Sequence, residues 1–272
     1  MTKTIIVPLD GSQFAERALA PARTLARQTD ASVVLVMSRL GGVPEPDAYL
    51  NSAAERAGIE AARAVVSSDL LAATAIPMIA DTEPDPLVCM STHGRSGPGL
   101  ALFGSIAEAV LRRIDVPVVF VGPSVTSASN QNFEQLVVCL DGSETADAAV
   151  PVALSLSRDI DADLWLVRVA DSDWRLDVPS TLEVDALEAA PLQRVAHALS
   201  DSDVSVTWET LHGANPAAAI VEFARSLSSP VIAMTTHGRT GLARVVAGSV
   251  TMSVVHQAAC PVLVIRSHDL RI

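Results

Sequence analysis

The chain has 272 residues, enough for two domains of ordinary size, each able to bury its own core. Its formal net charge of −12 argues against a protein that grips a nucleic-acid backbone, which needs a basic face. Apolar residues make up 49% and aromatics 3%, so the core must be built from Val, Ile, Leu and Ala, the usual filling of a buried parallel sheet.

Taken in chain order, residues 4–9 read as a strand and 13–28 as a helix. A strand over 32–37, a helix over 47–57, a weaker strand over 59–66 and a helix over 70–80 follow. Half one closes with a strand over 86–90, a glycine-spaced loop, a helix over 104–113 and a strand over 116–121. The next stretch is small and polar, and divides the chain into domains 1–122 and 133–272 with a linker over 123–132. Half two repeats the order with strands 136–140, 163–169, 204–211, 231–235 and 262–265 and helices 145–158, 183–200, 216–227 and 248–257. Strands alternating with helices predict an α/β fold, two open doubly wound domains, each with a parallel sheet covered on both faces. Pro21 and Pro151 fall inside the first helices and are expected to kink them.

The two halves are copies. An LDGS core recurs with Asp10 and Asp141 131 residues apart, whereas His93 and His237, like Pro117 and Pro261, are 144 apart. Half one is therefore 13 residues shorter, most naturally in its second helix. Cys89, Cys139 and Cys260 have no metal-ligand spacing and lie in or beside apolar runs, so they read as free, buried and inert thiols of a reducing compartment. No stretch approaches the ~18 apolar residues of a membrane span, and the first residues carry too short an apolar run for a secretion signal. The expectation is a cytoplasmic protein with no membrane and no nucleic-acid partner.

The stretch from Ser91 to Ser105 reads STHGRSGPGLALFGS, and Thr235 to Ser249 reads TTHGRTGLARVVAGS. Both share THGR-x-G-(six)-GS, set between a strand and a helix at the carboxyl edge of the predicted sheet, where open α/β folds bind ligands. Gly94 and Gly238 permit close backbone approach; Gly104-Ser105 and Gly248-Ser249 open helices, with the serines as natural N-caps. Free N–H groups at such a helix start bind anions. A pair of ordinary capped turns is the alternative. Against it stand the recurrence, the strand–loop–helix setting and the carboxylates of Asp10 and Asp141 at the same edge, each able to accept from a ribose hydroxyl or to form an Asx turn. No P-loop or GxGxxG is present, and no acid–base or nucleophile–base pair recurs, so no catalytic residue and no metal site is assigned. His93 and His237 read as rings that tether the loop.

With these residues in place the chain resembles a tandem universal stress protein, the two copies covering nearly all of it. The pattern of that family is G-x2-G-x9-G-[ST] after the fourth strand, with an aspartate ending the first. Gly94, Gly104 and Ser105 match in half one, and Gly238, Gly248 and Ser249 in half two. The resemblance implies five-stranded parallel sheets of order 3-2-1-4-5, packed as an intramolecular pseudo-dimer, with a homodimer as a further level. It implies ATP, with Mg as an optional companion, bound by a regulator of stress response with little or no hydrolysis. Asp10 and Asp141 would lie near ribose or adenine, and a strand-two backbone contact to adenine would come from Val169, or from Ser38 in half one. Arg95 and Arg239 of the shared THGR complete the candidate set. Ser91 and Thr235 replace the first motif glycine, and Asp69 stands where half two has Gly213, so half two keeps more of the pattern. An interaction module without ligand and an adenylating enzyme are the alternatives; the latter would need a pyrophosphate loop where LDGSQF and LDGSET stand. The closing strands, each preceded by or opening on a proline, suit sheet edges, and the two edges are expected to meet antiparallel.

Overall fold

The computed structural model describes residues 1–94, 104–126, 131–170, 181–236 and 248–266. Half one runs β1 (Thr4–Pro8), α1 (Gln13–Glu16), α2 (Leu19–Thr29), β2 (Ser32–Ser38), α3 (Pro46–Ala57), β3 (Arg63–Ser67), α4 (Ala72–Ala80), β4 (Pro86–Ser91), α5 (Ser105–Arg113) and β5 (Val118–Val121). Half two follows with β6 (Gln135–Cys139), α6 (Glu144–Asp147), α7 (Ala149–Ile160), β7 (Asp163–Ala170), α8 (Thr181–Ala198), β8 (Val206–His212), α9 (Pro216–Arg225), β9 (Pro230–Thr235), α10 (Ser249–Gln257) and β10 (Val262–Ile265).

The strands form one ten-stranded sheet of order β3-β2-β1-β4-β5-β10-β9-β6-β7-β8. Within each half this is 3-2-1-4-5 and all pairs are parallel. The halves join where β5 and β10 pair antiparallel, with Leu263 opposite Val119. The expected edge-to-edge meeting is thus present, and it merges the two sheets into one. Strand side chains alternate between two cores. Ile5, Val7, Leu35 and Met37 face α2 and α3, while Ile6, Val34 and Val36 face α4 and α5. Both faces are covered, so the strands read as unbroken apolar runs with no polar alternation.

Across the seam α2 lies beside α7. Gln28 joins them: its Oε1 accepts from Phe133 N at 2.9 Å, and its Nε2 donates to Phe133 O at 2.9 Å and Ile160 O at 2.7 Å. Arg17 Nη1 donates to Pro123 O at 3.0 Å, and Arg266 pairs with Asp115 at 3.0 Å.

Three local expectations change. The first helix of each half is broken into α1 and α2, or α6 and α7. Pro21 and Pro151 are each the third residue of the second piece, where a missing N–H costs nothing because the first turn has no internal acceptor. The extra length of half two is only partly helical, since α8 has 18 residues against 12 in α3. Cys260 is only half-buried, because it lies in the turn before β10 and not inside a strand.

Cys89 and Cys139 are buried. Burial pushes the Cys89 thiol from 9.0 up to about 12. Cys139 moves the same way, through burial first and the neighbouring Cys260 second. The folded state holds these protons more tightly than the unfolded chain, so their contribution is complete below about pH 9 and is lost as pH rises through the folded values. Unfolding free energy should fall above pH 9, and Cys89→Ala should reduce that slope by about 1.4 kcal/mol per pH unit. Denaturant melts from pH 8 to 11 check this; equal slopes for the two proteins would show that the thiol is not shielded.

Candidate functional site

At the carboxyl end of β1 the chain turns through Gly11, whose φ of 87° is the left-handed conformation that glycine permits. Asp10 Oδ1 accepts from Ser12 N at 2.9 Å and from Ser12 Oγ at 2.6 Å. The Ser12 hydroxyl oxygen in turn accepts from Ala15 N and caps α1. Asp10 is therefore an Asx-turn residue with Ser12 as the cap. Half two repeats this atom for atom, with Asp141 Oδ1 holding Ser143 N at 2.9 Å and Ser143 Oγ at 2.6 Å.

The second carboxylate oxygen of Asp10 points at the loop after β4. A β-carbon placed on Gly94 would lie 2.2 Å from Asp10 Oδ2. Position 94 is glycine because the carboxylate lies against its backbone, a tertiary reason beyond the turn chemistry. Past the motif, Gly104 N donates to Thr92 O at 2.8 Å, closing the loop on itself, and a β-carbon on Gly104 would stand 3.0 Å from that carbonyl.

The expected serine caps are corrected here. Gly104 and Gly248 occupy the cap positions of α5 and α10 in extended conformation, and Ser105 and Ser249 are the first helical residues. Neither helix has a side-chain cap hydrogen bond. The hydrogen bond back to Thr92 or Thr236 sets the glycine one residue earlier than the serine rule would place the cap. A helix start without a side-chain acceptor keeps its N–H groups for an anion.

Asp10, Ser38, Gly94, Gly104 and Ser105 all line one cavity of about 270 Å³ in half one. The sheet order explains the convergence: β1 lies between β2 and β4, so residues at the carboxyl ends of the three strands share one edge. Ser38 ends β2, and its hydroxyl donates to Leu70 O at 2.6 Å, tying the strand end to the turn before α4. His93 is buried in the cavity wall, its Nδ1 2.9 Å from Thr92 Oγ1, a bond local to the loop. Ile76 and Met90 make an apolar floor, and Leu40, Leu71 and Ile106 an exposed apolar rim. Sequence reading did not assign these five to the site.

In half two Asp141 follows the end of β6 and Val169 is the penultimate residue of β7, and Gly248 N donates to Thr236 O as Gly104 does to Thr92 O. Arg95, His237, Gly238 and Arg239 lie outside the described residues. Among the described residues no group of three His, Cys, Asp or Glu is placed to hold a metal ion, and no helix is long and apolar enough to cross a membrane.

The chain is thus an α/β protein, a doubly wound sheet with a glycine-walled cavity at the carboxyl edge of the strands of half one. The family model described as the universal stress protein family matches residues 1–122 and 132–266. The chain belongs to the universal stress protein family, as a tandem member. It is 32% identical over 144 residues to a universal stress protein of Methanocaldococcus jannaschii, covering 49% of this chain and 82% of that one. A universal stress protein of Mycobacterium bovis is 26% identical over 210 residues, covering 74% of this chain and 69% of its own length. Among solved structures, a universal stress protein from Archaeoglobus fulgidus superposes with a TM-score of 0.65 at 19% identity, over 97% of this chain and 98% of that one. A second, from Pseudomonas aeruginosa, gives 0.65 at 18%, over 97% and 93%. These likenesses concern the fold.

Proposed function

We propose that each half binds an adenine nucleotide, ATP, across the carboxyl end of its first strand, and that the protein is a nucleotide-dependent regulator with little or no turnover. One observation carries this. In half one the Asp10 carboxylate and the N-terminus of α5, capped only by Gly104, open into the same cavity. A carboxylate accepts from ribose hydroxyls, and a helix start receives phosphates. Laid between them, the ligand has its sugar at Asp10 or Asp141 and its phosphates at Gly94, Gly104 and Ser105, or Gly238, Gly248 and Ser249. Ser38 and Val169 approach the base, and Arg95 and Arg239 the phosphates. Any Mg²⁺ would enter with the phosphates, since the described residues offer no carboxylate cage. The proposed units are 1–122 and 133–272, paired within one chain in the cytoplasm.

Mass spectrometry of small molecules released from purified protein, followed by calorimetric titration with ATP, tests the reading. Recovered adenine nucleotide and saturable ATP binding are expected. No nucleotide in repeated preparations, together with a flat titration, would leave a protein-interaction module.

A further inference from the structure

The rim of the half-one cavity contains two residues that suit the free protein poorly. Leu40 is 56% exposed and Leu71 is 65% exposed, and both line the cavity. Leu71 also occupies the N-cap of α4, where it makes no side-chain hydrogen bond. The equivalent cap in half two is Asn215, whose Oδ1 accepts from Ala218 N at 3.2 Å. A leucine at this position gives up a cap and leaves an apolar side chain in water, two costs that a bound apolar group would offset.

The half-to-half register makes the contrast systematic. Val7 pairs with Leu35 as Val138 pairs with Leu166, so Leu40 corresponds in sequence to Asp171. Leu71 corresponds to Asn215, since each precedes the helix after the third strand. In sequence, half one has leucine at both positions where half two has an aspartate and an asparagine.

The sheet order says which end of the ligand meets this rim. Leu40 follows β2 and Leu71 follows β3, on one side of β1; Gly94 and Gly104 follow β4 and precede α5, on the other. With phosphates at α5 and sugar at Asp10, the base end of the ligand falls against Leu40 and Leu71. We propose that half one takes an adenine nucleotide bearing an apolar substituent on the base, with Leu40 and Leu71 as its specificity-determining residues. The inference rests on the nucleotide reading above. Hydrophobic contact supplies the preference: covering a half-exposed leucine face is worth roughly a factor of ten in affinity. A polar residue at either position would resist the same group, because burying it unpaired costs more than the contact returns.

The test is calorimetric titration of the full chain with ATP and with N6-benzyl-ATP, repeated on Leu40→Asp and Leu71→Asn, which place the half-two residues in half one. Both positions are exposed, and a thermal melt checks that the variants remain folded. The expected result is one site per chain at which N6-benzyl-ATP binds about tenfold more tightly than ATP. Each substitution should lower that preference by weakening N6-benzyl-ATP more than ATP. ATP binding intact with N6-benzyl-ATP equal or weaker overturns the inference and spares the nucleotide reading. So does a preference that survives both substitutions. If neither compound binds, the nucleotide reading fails and the inference with it.

Discussion

Gly122→Ala is expected to destabilise the whole protein by about 2–3 kcal/mol, the upper part of the range for overpacking a tight interior. Gly122 follows β5 directly, and a β-carbon there would stand 2.0 Å from the carbonyl oxygen of Val255 and 3.2 Å from its carbonyl carbon. Both atoms belong to the backbone of α10, in the other half, so no side-chain rotation relieves the overlap. Either the end of β5 or α10 has to move, and each is tied into the antiparallel seam beside Val118–Phe120 and Val262–Val264. Gly213→Ala is the control, because its β-carbon would meet nothing closer than the Ala219 methyl at 3.5 Å. Urea melts on both variants check the pair. A Gly122→Ala protein within about 0.5 kcal/mol of the parent would show that the seam yields, contrary to a close-packed junction.

The second large effect is on binding. Asp10→Ala removes the carboxylate proposed to accept from ribose, a charge-assisted bond worth ~1.5–3 kcal/mol, or roughly 10- to 150-fold in affinity at half one. It also removes the acceptor for Ser12 N and Ser12 Oγ, so the start of α1 loosens at a cost of about 1 kcal/mol. Asp10→Asn separates the two roles. The amide oxygen can still accept from Ser12, so stability should stay within about 0.5 kcal/mol, while loss of the charge still weakens nucleotide binding. Asp141→Asn should do the same at half two, where Ser143 takes the place of Ser12. ATP titration beside denaturant melts on Asp10→Ala, Asp10→Asn, Asp141→Ala and Asp141→Asn gives the answer. Affinity unmoved in all four, with stability lowered only in the alanine variants, would assign both aspartates to the turn alone.

Much of the architecture was legible because the signals for it are short-ranged. A run such as Thr4–Pro8 is apolar on both faces because it is covered on both faces, so its pattern alone marks a central parallel strand. The duplicated LDGS and THGR frames place two copies in register without any coordinates, and they bring the glycine loop and the aspartate to the same sheet edge. The prolines before β5 and β10 marked those strands as edges, and the edges do meet. What sequence reading missed depends on atoms far apart in the chain. The serine rule for helix caps is local, and it misplaced the caps of α5 and α10 because the bonds to Thr92 O and Thr236 O, formed across the loop, put glycine there instead. Gly94 was expected to permit close backbone approach, but only the fold shows that the approaching group is a carboxylate 84 positions earlier. Gly122 carried no signal at the end of the first domain, but it is glycine because a helix carbonyl more than 130 residues later lies against it. Leu40 and Leu71 carry no periodic signal, and only folding sets them, from two different connections, on the rim of one cavity. Local pattern therefore determined the elements and their order. Close packing of backbone on backbone determined which glycines are indispensable and what borders the ligand, since such contacts exist only once the chain is assembled.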